Sequence, residues 1–309
     1  MTAEPVRTIL LFGANGQVGQ ELQLVLPALG RVVALGRANA DLAHPERLRE
    51  TVRAHRPGLI VNAAAYTAVD RAEKEQALAR TVNAEAPAVL AEEARSLGAA
   101  IVHFSTDYVF DGSKPSPYVE TDATGPLQAY GRTKLAGEQA VQSTCERHLV
   151  LRTSWVYAAH GHNFVRTMLR LATERDSLRI VADQVGAPTA ARLIAQVTVD
   201  VLRALDAGSP GAAWGLYHLV ASGETSWHGF ARHVIAQGRT AGLPLRTAPE
   251  AVVPITTAEY PVPAARPANS RLDTGKLRHA FGVSLPDWTE GVNEVIATLA
   301  RPSRTDSPP

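Results

Sequence analysis

Two residues four positions apart have the types needed to transfer a proton. They are Tyr130 and Lys134, in the segment QAYGRTKLAGE. A free tyrosine has a pKa of about 10, so it exchanges a proton near neutrality only when a nearby cation stabilises its phenolate. Residues i and i+4 share one face of an α-helix, so Lys134 can supply that cation. Taken alone, the spacing is equally typical of an ordinary pair on a helix surface.

A second group of polar residues follows an apolar run in AAIVHFSTDYVFDG, where Ser105, Thr106 and Asp107 end a predicted strand. Parallel α/β sheets bind their ligands at the carboxyl ends of the strands. We therefore expect Thr106 and Asp107 to lie close to Tyr130 and Lys134 in the folded chain.

A glycine-rich turn lies near the start of the chain, in TILLFGANGQVGQEL, after a predicted strand and at the start of a predicted helix. Glycines at this spacing permit a tight turn and the close approach of a pyrophosphate, while the helix N-terminus offers free N–H groups. The alternative is a turn that serves only the fold. The pattern predicts a dinucleotide site that includes Gly13, Asn15, Gly16, Gln17, Val18 and Gly19.

The end of the second predicted strand indicates which dinucleotide binds. An acidic residue there holds the ribose 2′-hydroxyl of NAD, whereas an arginine accommodates the 2′-phosphate of NADP. The chain has Arg37 at this point and no carboxylate before Asp41. This favours NADPH, with NADH still possible, although Arg37 would also suit a solvated loop. Asp41 and Leu42 are expected near the adenine.

Small residues follow the third predicted strand in LIVNAAAYTAVDRAE. A run of alanines lets a flat cofactor lie close to the backbone. Residues 62–67 are therefore expected to line the nicotinamide half of the site, through Ala64, Ala65, Tyr66 and Thr67.

The elements that must position these residues alternate along the first half of the chain, which predicts an α/β fold with a doubly wound parallel (Rossmann) sheet. Strands are expected at 8–12, 31–35, 59–61, 101–105 and 149–153. Helices are expected at 17–26, 45–55, 73–97 with a break at Pro87, and 130–142. Residues 1–160 form the predicted dinucleotide-binding domain, residues 161–300 mainly a smaller α/β substrate lobe with an interleaved boundary, and residues 301–309 a disordered tail. The lobe is expected to contain a helix at 163–173 and strands at 178–181 and 216–220.

The composition excludes several classes of protein. The chain has 309 residues, with 31 Lys and Arg against 30 Asp and Glu, so no basic surplus attracts nucleic acid or an acidic membrane. Its one cysteine, Cys145, excludes an internal disulfide framework and favours a cytoplasmic location. No apolar run approaches the roughly 20 residues that span a bilayer, and TILLFG is too short for a signal peptide.

The order of these motifs resembles the extended short-chain dehydrogenase/reductase family. Longer segments are similar to the dTDP-4-dehydrorhamnose reductases within it: VNAAAYTAVDRAE, HFSTDYVFDG, YGRTKLAGE, LRTSWVY, DQVGAPT, GLYHLVASG and RPANSRLDT. The similarity extends from about residue 8 to about residue 299 and includes the C-terminal lobe.

This resemblance implies a specific reaction, in which NADPH reduces the C4 keto group of dTDP-4-dehydro-β-L-rhamnose to give dTDP-β-L-rhamnose. Tyr130 would donate the proton, and Lys134 would lower the tyrosine pKa and hold the nicotinamide ribose. Thr106 would hydrogen-bond the carbonyl oxygen. Asp107 and Trp155 match positions that contact the sugar nucleotide, although Trp155 would also suit a core aromatic at a strand end.

The resemblance is weakest at a metal site. Some members of the family dimerise around Mg²⁺ held by glutamates of both chains. Glu21 matches one ligand, but Arg192 occupies the place of a second, and only Glu294 lies near the third. We therefore expect no bound metal, and a monomer or a weak homodimer. His160 and His162 lack the spacing of a metal hydrolase, and their loop is expected to face substrate or solvent.

Two alternative functions remain open. A reductase of another dTDP-4-keto deoxysugar would use the same catalytic residues. A non-catalytic NADP-binding regulatory subunit would keep the fold, although the presence of Thr106, Tyr130 and Lys134 together argues against it.

Overall fold

A computed structural model describes residues 6–301 of the chain, so the tail expected to be disordered lies almost wholly outside the described residues. Its strands are β1 (Thr8–Phe12), β2 (Arg31–Leu35), β3 (Leu59–Asn62), β4 (Ala100–Thr106), β5 (His148–Thr153), β6 (Val156–Tyr157), β7 (Leu178–Val181), β8 (Val185–Gly186), β9 (Thr189–Ala190), β10 (Gly215–His218), β11 (Thr225–Ser226) and β12 (Val252–Ile255). Its α-helices are α1 (Gln17–Val25), α2 (Pro45–His55), α3 (Val69–Ala72), α4 (Gln76–Arg80), α5 (Ala86–Leu97), α6 (Ala129–Thr144), α7 (Phe164–Glu174), α8 (Ala191–Asp206), α9 (Trp227–Thr240), α10 (Gly275–Phe281) and α11 (Trp288–Ala300).

Six parallel strands form the central sheet, in the order β10-β5-β4-β3-β1-β2. Alternate residues of these strands face two separate apolar cores, because successive side chains of a strand point to opposite faces. Helices α2, α5 and α6 cover one face, while α1, α8 and α10 cover the other. The doubly wound α/β fold predicted from the sequence is confirmed. Its chain order reverses between β1 and β3, which is where such sheets bind ligands.

The edge strand β10 corrects one expectation. A strand at 216–220 was expected in the C-terminal lobe, but β10 pairs with β5 in the central sheet, with Gly215 opposite Leu149. Helix α8 connects the two halves, because it packs against α1 on the face of the central sheet before the chain enters β10. The second half of the chain therefore completes the first domain. A short apolar run in the sequence does not reveal which sheet it joins.

The smaller lobe is built around three helices and short strand pairs. Side chains of α7, α9 and α11 form a core of their own around Phe230 and Val292. The strand pairs β6–β9, β7–β12 and β8–β11 surround it. The expected strand at 178–181 is β7, and the expected helix at 163–173 is α7 shifted by one residue. Among residues 6–301, no helix combines the length and apolar character required to cross a membrane.

The helix expected at 73–97 is interrupted before its proline. A π-helical segment at Thr81–Glu85 joins α4 to α5, and Pro87 lies in the first turn of α5. Proline has no N–H, so the carbonyl of Asn83 cannot receive the usual bond from four residues ahead. The wider turn leaves the Asn83 carbonyl facing α6.

Helix α6 packs unusually close to its neighbours at two glycines. A Cβ on Gly137 would lie 2.0 Å from the Asn83 carbonyl oxygen, and one on Gly131 would lie 2.1 Å from the Tyr108 carbonyl oxygen. Real Cβ atoms do not approach that closely, so both positions require glycine. Tyr130 and Lys134 are carried on this closely packed surface.

Gly137→Ala therefore tests the packing. In an ordinary helix this change stabilises by about 0.5–1 kcal/mol. Here we expect the free energy of unfolding in urea to fall by about 1–3 kcal/mol, since the new methyl overfills the contact. Gly125→Ala is the control, because its Cβ would meet only the Asp111 Cβ at 3.6 Å. A Gly137→Ala protein at least as stable as wild type would contradict this account.

Candidate active site

One cavity of about 500 Å³ lies at the carboxyl ends of β1, β3, β4 and β5. It brings together most of the residues predicted from the sequence. Those are Gly13, Asn15, Gly16, Gln17, Val18, Arg37, Asp41, Leu42, Ala64, Ala65, Thr67, Tyr130 and Lys134. Five predicted residues do not line it: Gly19, Tyr66, Thr106, Asp107 and Trp155.

The glycines of the turn have two roles: Gly13 and Gly19 allow close backbone packing, and Gly16 leaves space for a ligand. Gly13 has a φ of +78°, and its Cβ would lie 2.5 Å from the Ala64 nitrogen. A Cβ on Gly19 would lie 2.0 Å from the Gly13 carbonyl oxygen, so Gly19 packs α1 against the turn and does not reach the cavity. A Cβ on Gly16 would meet no atom nearer than 3.3 Å, which leaves room in front of it. No side chain caps the start of α1 and its first turn has no acidic residue, so its free N–H groups are available to an anion.

The loop after β2 presents a cation at the cavity edge. The Arg37 side chain is 77% exposed and its Nε lies 3.9 Å from Asp41 Oδ1. Such an exposed pair is weak, so the guanidinium is free to turn to a phosphate. Gly36 keeps the backbone close to Asn15, since a Cβ there would lie 2.6 Å from Asn15 Nδ2.

The alanine run is held by a buried amide. Asn83 Oδ1 accepts from the Tyr66 nitrogen at 2.8 Å, and Asn83 Nδ2 donates to the Tyr66 carbonyl oxygen at 3.1 Å and to Thr133 Oγ1 at 3.2 Å. Asn83 thereby fixes the loop after β3 to α6. The Tyr66 side chain turns away from the cavity and donates its hydroxyl proton to Glu75.

The start of α6 is capped twice, which fixes the position of Tyr130. Gln128 Oε1 accepts from the Gly131 nitrogen at 3.0 Å, and Glu73 Oε1 accepts from the Ala129 nitrogen at 2.7 Å. One turn later Lys134 is buried, and its Nζ donates to the Phe104 carbonyl oxygen at 2.6 Å. Both functional groups of the predicted pair thus face the cavity from one helix.

The electrostatics of the pair follow from its enclosure. Burial raises the pKa of Tyr130, as does the nearby Asp107, while the neighbouring Thr106 side chain opposes the rise. Burial lowers the pKa of Lys134 to about 8, and the negative charge of Glu138 opposes that shift. Tyr130 is therefore protonated at neutral pH, which is the form that donates a proton. The expected lowering of the tyrosine pKa by Lys134 is not found, because burial dominates in the enclosed site.

Thr106 and Asp107 lie at the end of β4, beside Tyr130 and just behind the cavity lining. Thr106 Oγ1 donates to Asp107 Oδ1 at 3.0 Å and accepts from the Tyr108 nitrogen at 3.1 Å. Burial raises the pKa of Asp107 to about 7, although hydrogen bonds from Ser270 and Thr106 oppose this. Ser270 belongs to the C-terminal lobe, so the two lobes meet at Asp107.

Trp155 lies in the smaller lobe and does not reach the cavity. Its φ of +47° is uncommon for a residue with a Cβ. Its ring stacks on Trp227 with centroids 3.7 Å apart. A Cβ on Gly186 would lie 2.8 Å from this ring, so the indole is confined on that side as well. Contact between Trp155 and a sugar nucleotide stays a prediction.

Several residues that line the cavity lie outside the set of site residues predicted from the sequence. Ser105 and Thr153 end neighbouring strands and line the cavity, and their buried hydroxyl oxygens have no hydrogen-bond partner among the described residues. The strand-end position of Ser105 was visible in the sequence, whereas Thr153 had no signal beyond the end of its strand. His162 also lines the cavity. Its loop is held to α1 by Asn163 Nδ2, which donates to Gln17 Oε1 at 3.0 Å.

The residues at the positions that hold Mg²⁺ in some members of the family do not fit a divalent cation. Glu21 Oε1 lies 2.8 Å from His160 Nε2, and Arg192 Nη1 lies 3.9 Å from Glu294 Oε2. A guanidinium beside the remaining carboxylate repels a cation. Between residues 6 and 301, no group of three or more His, Cys, Asp or Glu side chains could hold a metal.

The reversal of strand order, the glycine turn and a helix carrying Tyr-x-x-x-Lys together define a class of protein. They are the features of the extended short-chain dehydrogenases/reductases, which are NAD(P)-dependent oxidoreductases.

Comparison with known proteins narrows this class. The family model described as "RmlD substrate binding domain" matches residues 7–301. The dTDP-4-dehydrorhamnose reductase of Escherichia coli (strain K12) is 50% identical over 94% of this chain and 99% of its own length. The dTDP-4-dehydrorhamnose reductase of Burkholderia thailandensis is 52% identical over 94% of this chain and 98% of its own length. The chain therefore belongs to the dTDP-4-dehydrorhamnose reductase family and is an oxidoreductase.

A solved structure agrees with this assignment. The dTDP-4-dehydrorhamnose reductase of Bacillus anthracis, crystallised in complex with NADP, superposes with a TM-score of 0.86. It is 33% identical, and the match covers 95% of this chain and 99% of that one. The family resemblance inferred from the motifs is confirmed.

A buried ion pair fixes α6 to β5 behind the site. Arg152 donates through Nη2 and Nε to Glu138, and the two side chains are 3% and 1% exposed. The guanidinium also lies over the ring of Phe110, at 5.0 Å from its centroid.

Glu138→Gln should lower the free energy of unfolding by about 3–5 kcal/mol, because it leaves the Arg152 charge buried without a counter-ion. Chemical denaturation measures the effect. The control is Glu85→Gln, in an exposed pair with Arg80 at 3.3 Å, where we expect a change below about 1 kcal/mol. Equal, small losses for the two variants would show that the buried pair is not what holds α6 to β5.

Proposed function

We propose that the protein reduces the C4 keto group of dTDP-4-dehydro-β-L-rhamnose with NADPH and yields dTDP-β-L-rhamnose. The observation that carries the proposal is that Tyr130 and Lys134 line the same cavity as the glycine turn. A proton donor and a dinucleotide cradle therefore face one space. Relatives named dTDP-4-dehydrorhamnose reductase, at 50% and 52% identity over nearly the whole chain, support the choice of substrate.

The cavity fits NADPH in three respects. The space in front of Gly16 and the uncapped start of α1 suit a diphosphate. Arg37 stands where an NAD-specific site has a carboxylate, and it suits a 2′-phosphate. The unpaired hydroxyls of Ser105 and Thr153 offer further hydrogen bonds to the nicotinamide half. The complex of the Bacillus anthracis relative with NADP supports the same choice.

Bound NADPH would supply the hydride to the C4 carbon, and the chain supplies the proton. As the carbonyl oxygen gains negative charge, the Tyr130 hydroxyl donates its proton to it, and the product is a secondary alcohol. The Lys134 ammonium stabilises the phenolate left on Tyr130. The Thr106 hydroxyl, which donates to Asp107 in the absence of substrate, would turn its proton to the same substrate oxygen. All three act on charge that develops only during the reaction, which is where binding accelerates chemistry.

The sugar nucleotide would occupy the junction of the two lobes, near Asp107 and Trp155. Asp107 Oδ1 accepts from Thr106, and Asp107 Oδ2 has no hydrogen-bond partner among the described residues, so this carboxylate can orient a sugar hydroxyl beside the reacting carbon. The stacked pair Trp155 and Trp227 offers an aromatic wall from the smaller lobe. We further propose a magnesium-free monomer or weak homodimer in the cytoplasm, supported by the contact of Arg192 with Glu294 and by the single cysteine.

Arg37→Ala should weaken NADPH by about 1.5–3 kcal/mol, or roughly 10- to 100-fold in affinity, and leave NADH nearly unchanged. The reason is that only NADPH carries the 2′-phosphate. Fluorescence titration of each cofactor measures the effect. Arg47→Ala removes an equal charge from the exposed side of α2 and should change neither affinity. Equal losses for both cofactors with Arg37→Ala would reject the assigned contact.

The function itself is tested by a panel of dTDP-4-keto sugars, with the loss of NADPH absorbance as the measurement. We expect the fastest turnover with dTDP-4-dehydro-β-L-rhamnose. Tyr130→Phe should bind NADPH normally and lower kcat about 100- to 10,000-fold, because the ring remains while the proton is lost. Faster turnover of another sugar would favour the alternative reductase. Bound NADPH with no oxidation on any sugar would favour the regulatory subunit.

A further inference from the structure

A chain of buried polar groups leads from Lys134 to the loop that lines the cavity. Lys134 Nζ lies 3.3 Å from His103 Nε2, and His103 Nδ1 lies 3.1 Å from Asn62 Nδ2. Asn62 Oδ1 accepts from the Ala64 nitrogen at 3.2 Å. Asn62 and His103 are opposite each other on β3 and β4, and their side chains are 1% and 0% exposed. Water therefore does not replace these bonds.

The direction of each bond can be assigned from the network. Because Asn62 Oδ1 accepts from Ala64, its amide nitrogen faces His103, and an amide nitrogen only donates. Nδ1 of His103 is then the acceptor, and the ring proton is on Nε2, which faces Lys134. The ring is neutral, since burial holds the pKa of His103 well below its usual range, and a positive charge on Lys134 lowers that pKa further.

This direction has a consequence for the lysine. An ammonium has three donors and no lone pair, so it cannot accept from an Nε2–H group. The arrangement described above therefore matches an uncharged amine, which accepts from Nε2–H while it donates to the Phe104 carbonyl oxygen. A charged Lys134 requires the opposite direction. It donates to Nε2, the ring proton moves to Nδ1, and Asn62 turns its oxygen towards His103 and releases the Ala64 N–H.

We propose that His103 is a positioning residue that couples the charge on Lys134 to the loop beginning at Ala64, through the side-chain amide of Asn62. The charged lysine, which the proposed reduction needs, goes with an Ala64 N–H released from Asn62, in the loop that lines the cavity. The uncharged lysine goes with an Ala64 N–H held by Asn62. A ligand that accepts hydrogen bonds from both the Lys134 ammonium and the Ala64 N–H stabilises the charged state of Lys134 through each of these bonds. This inference rests on the proposed function only for the identity of that ligand, NADPH.

Other charged or titratable groups lie on the elements packed against Lys134, and none replaces His103. They are Glu138 and Tyr130 on α6, Arg152 on β5, Asp107 after β4 and Glu73 at the end of α3. Of these, Glu138 opposes the lowering of the Lys134 pKa, and its carboxylate is already paired with Arg152. The π-helical segment presents the neutral Asn83.

The test is the tautomer of His103, read by NMR on protein labelled with ¹⁵N-histidine. The free enzyme is titrated from well below to well above the Lys134 pKa of about 8. We expect the ring to carry its proton on Nδ1 at low pH and on Nε2 at high pH, without becoming doubly protonated between them. One tautomer throughout the titration, or a doubly protonated ring, would overturn the proposal. This arm uses neither cofactor nor substrate, so its outcome is independent of the proposed function.

His218 is an internal control in the same spectra. It is equally buried, and its Nδ1 lies 3.1 Å from the Tyr118 carbonyl oxygen and 3.2 Å from the Asp273 carbonyl oxygen. Carbonyls only accept, so His218 should keep its proton on Nδ1 at every pH. With saturating NADPH, the midpoint for His103 should move to higher pH while His218 stays unchanged. An unmoved His103 midpoint with NADPH bound would reject the coupling to the loop.

Asn62→Asp provides the matched variant. A carboxylate accepts on both oxygens, so the new side chain can accept from the His103 ring and from the Ala64 nitrogen at the same time. His103 should then keep its proton on Nδ1 throughout the titration. A thermal melt shows whether the variant is folded. If it is folded and His103 still changes tautomer with pH, the role assigned to Asn62 is wrong. If it does not fold, the wild-type titration decides the proposal by itself.

Discussion

The close packing of helix α6 on the sheet is the constraint on which the site depends. Gly131 and Gly137 bring the helix against the Tyr108 and Asn83 carbonyls, at distances that no other residue permits. Gln128 and Glu73 cap its first turn, and the pair of Glu138 with Arg152 holds it to β5. The segment QAYGRTKLAGE thus contains the residues that fix the position of α6 as well as its two reactive groups. Tyr130 and Lys134 reach the cavity because the residues between and around them place the helix there.

The charge distribution explains how an almost neutral chain can bind a dinucleotide. With a formal net charge of +1, the protein has no long-range attraction for phosphates. The attraction is local, from the start of α1, from Arg37 and from the Lys134 ammonium. The deeper charges are compensated, since the buried Glu93 binds both Arg49 and Arg53 and so has a lowered pKa. Two buried hydroxyls without a partner among the described residues, those of Ser105 and Thr153, lie in the cavity, where a ligand can satisfy them.

Local patterns predicted the fold class and most of the cavity. The glycine turn, the alanine run and the Tyr-x-x-x-Lys spacing each lie within one turn or one helix. Their structure can therefore be predicted from residues that are close in the sequence. The features that the sequence could not reveal depend on contacts between residues that are far apart in the chain. The pairing of β10 with β5, the hydrogen bonds from Asn83 to the alanine loop and the chain through His103 join residues that are 17 or more positions apart. Trp155 shows the same limit, because it lies between β5 and β6 while its stacking partner Trp227 begins α9.

The account's central claim is that this cavity passes a hydride from NADPH to C4 of a dTDP-4-keto sugar while Tyr130 supplies the proton. The most direct test is to supply NADPH that is fully deuterated at C4 of the nicotinamide and to analyse the sugar product by NMR. The account predicts one deuterium bound to C4 of the sugar and a C4 hydroxyl whose proton comes from water. A reduced product without deuterium at C4, or no product while NADPH is bound, would contradict it.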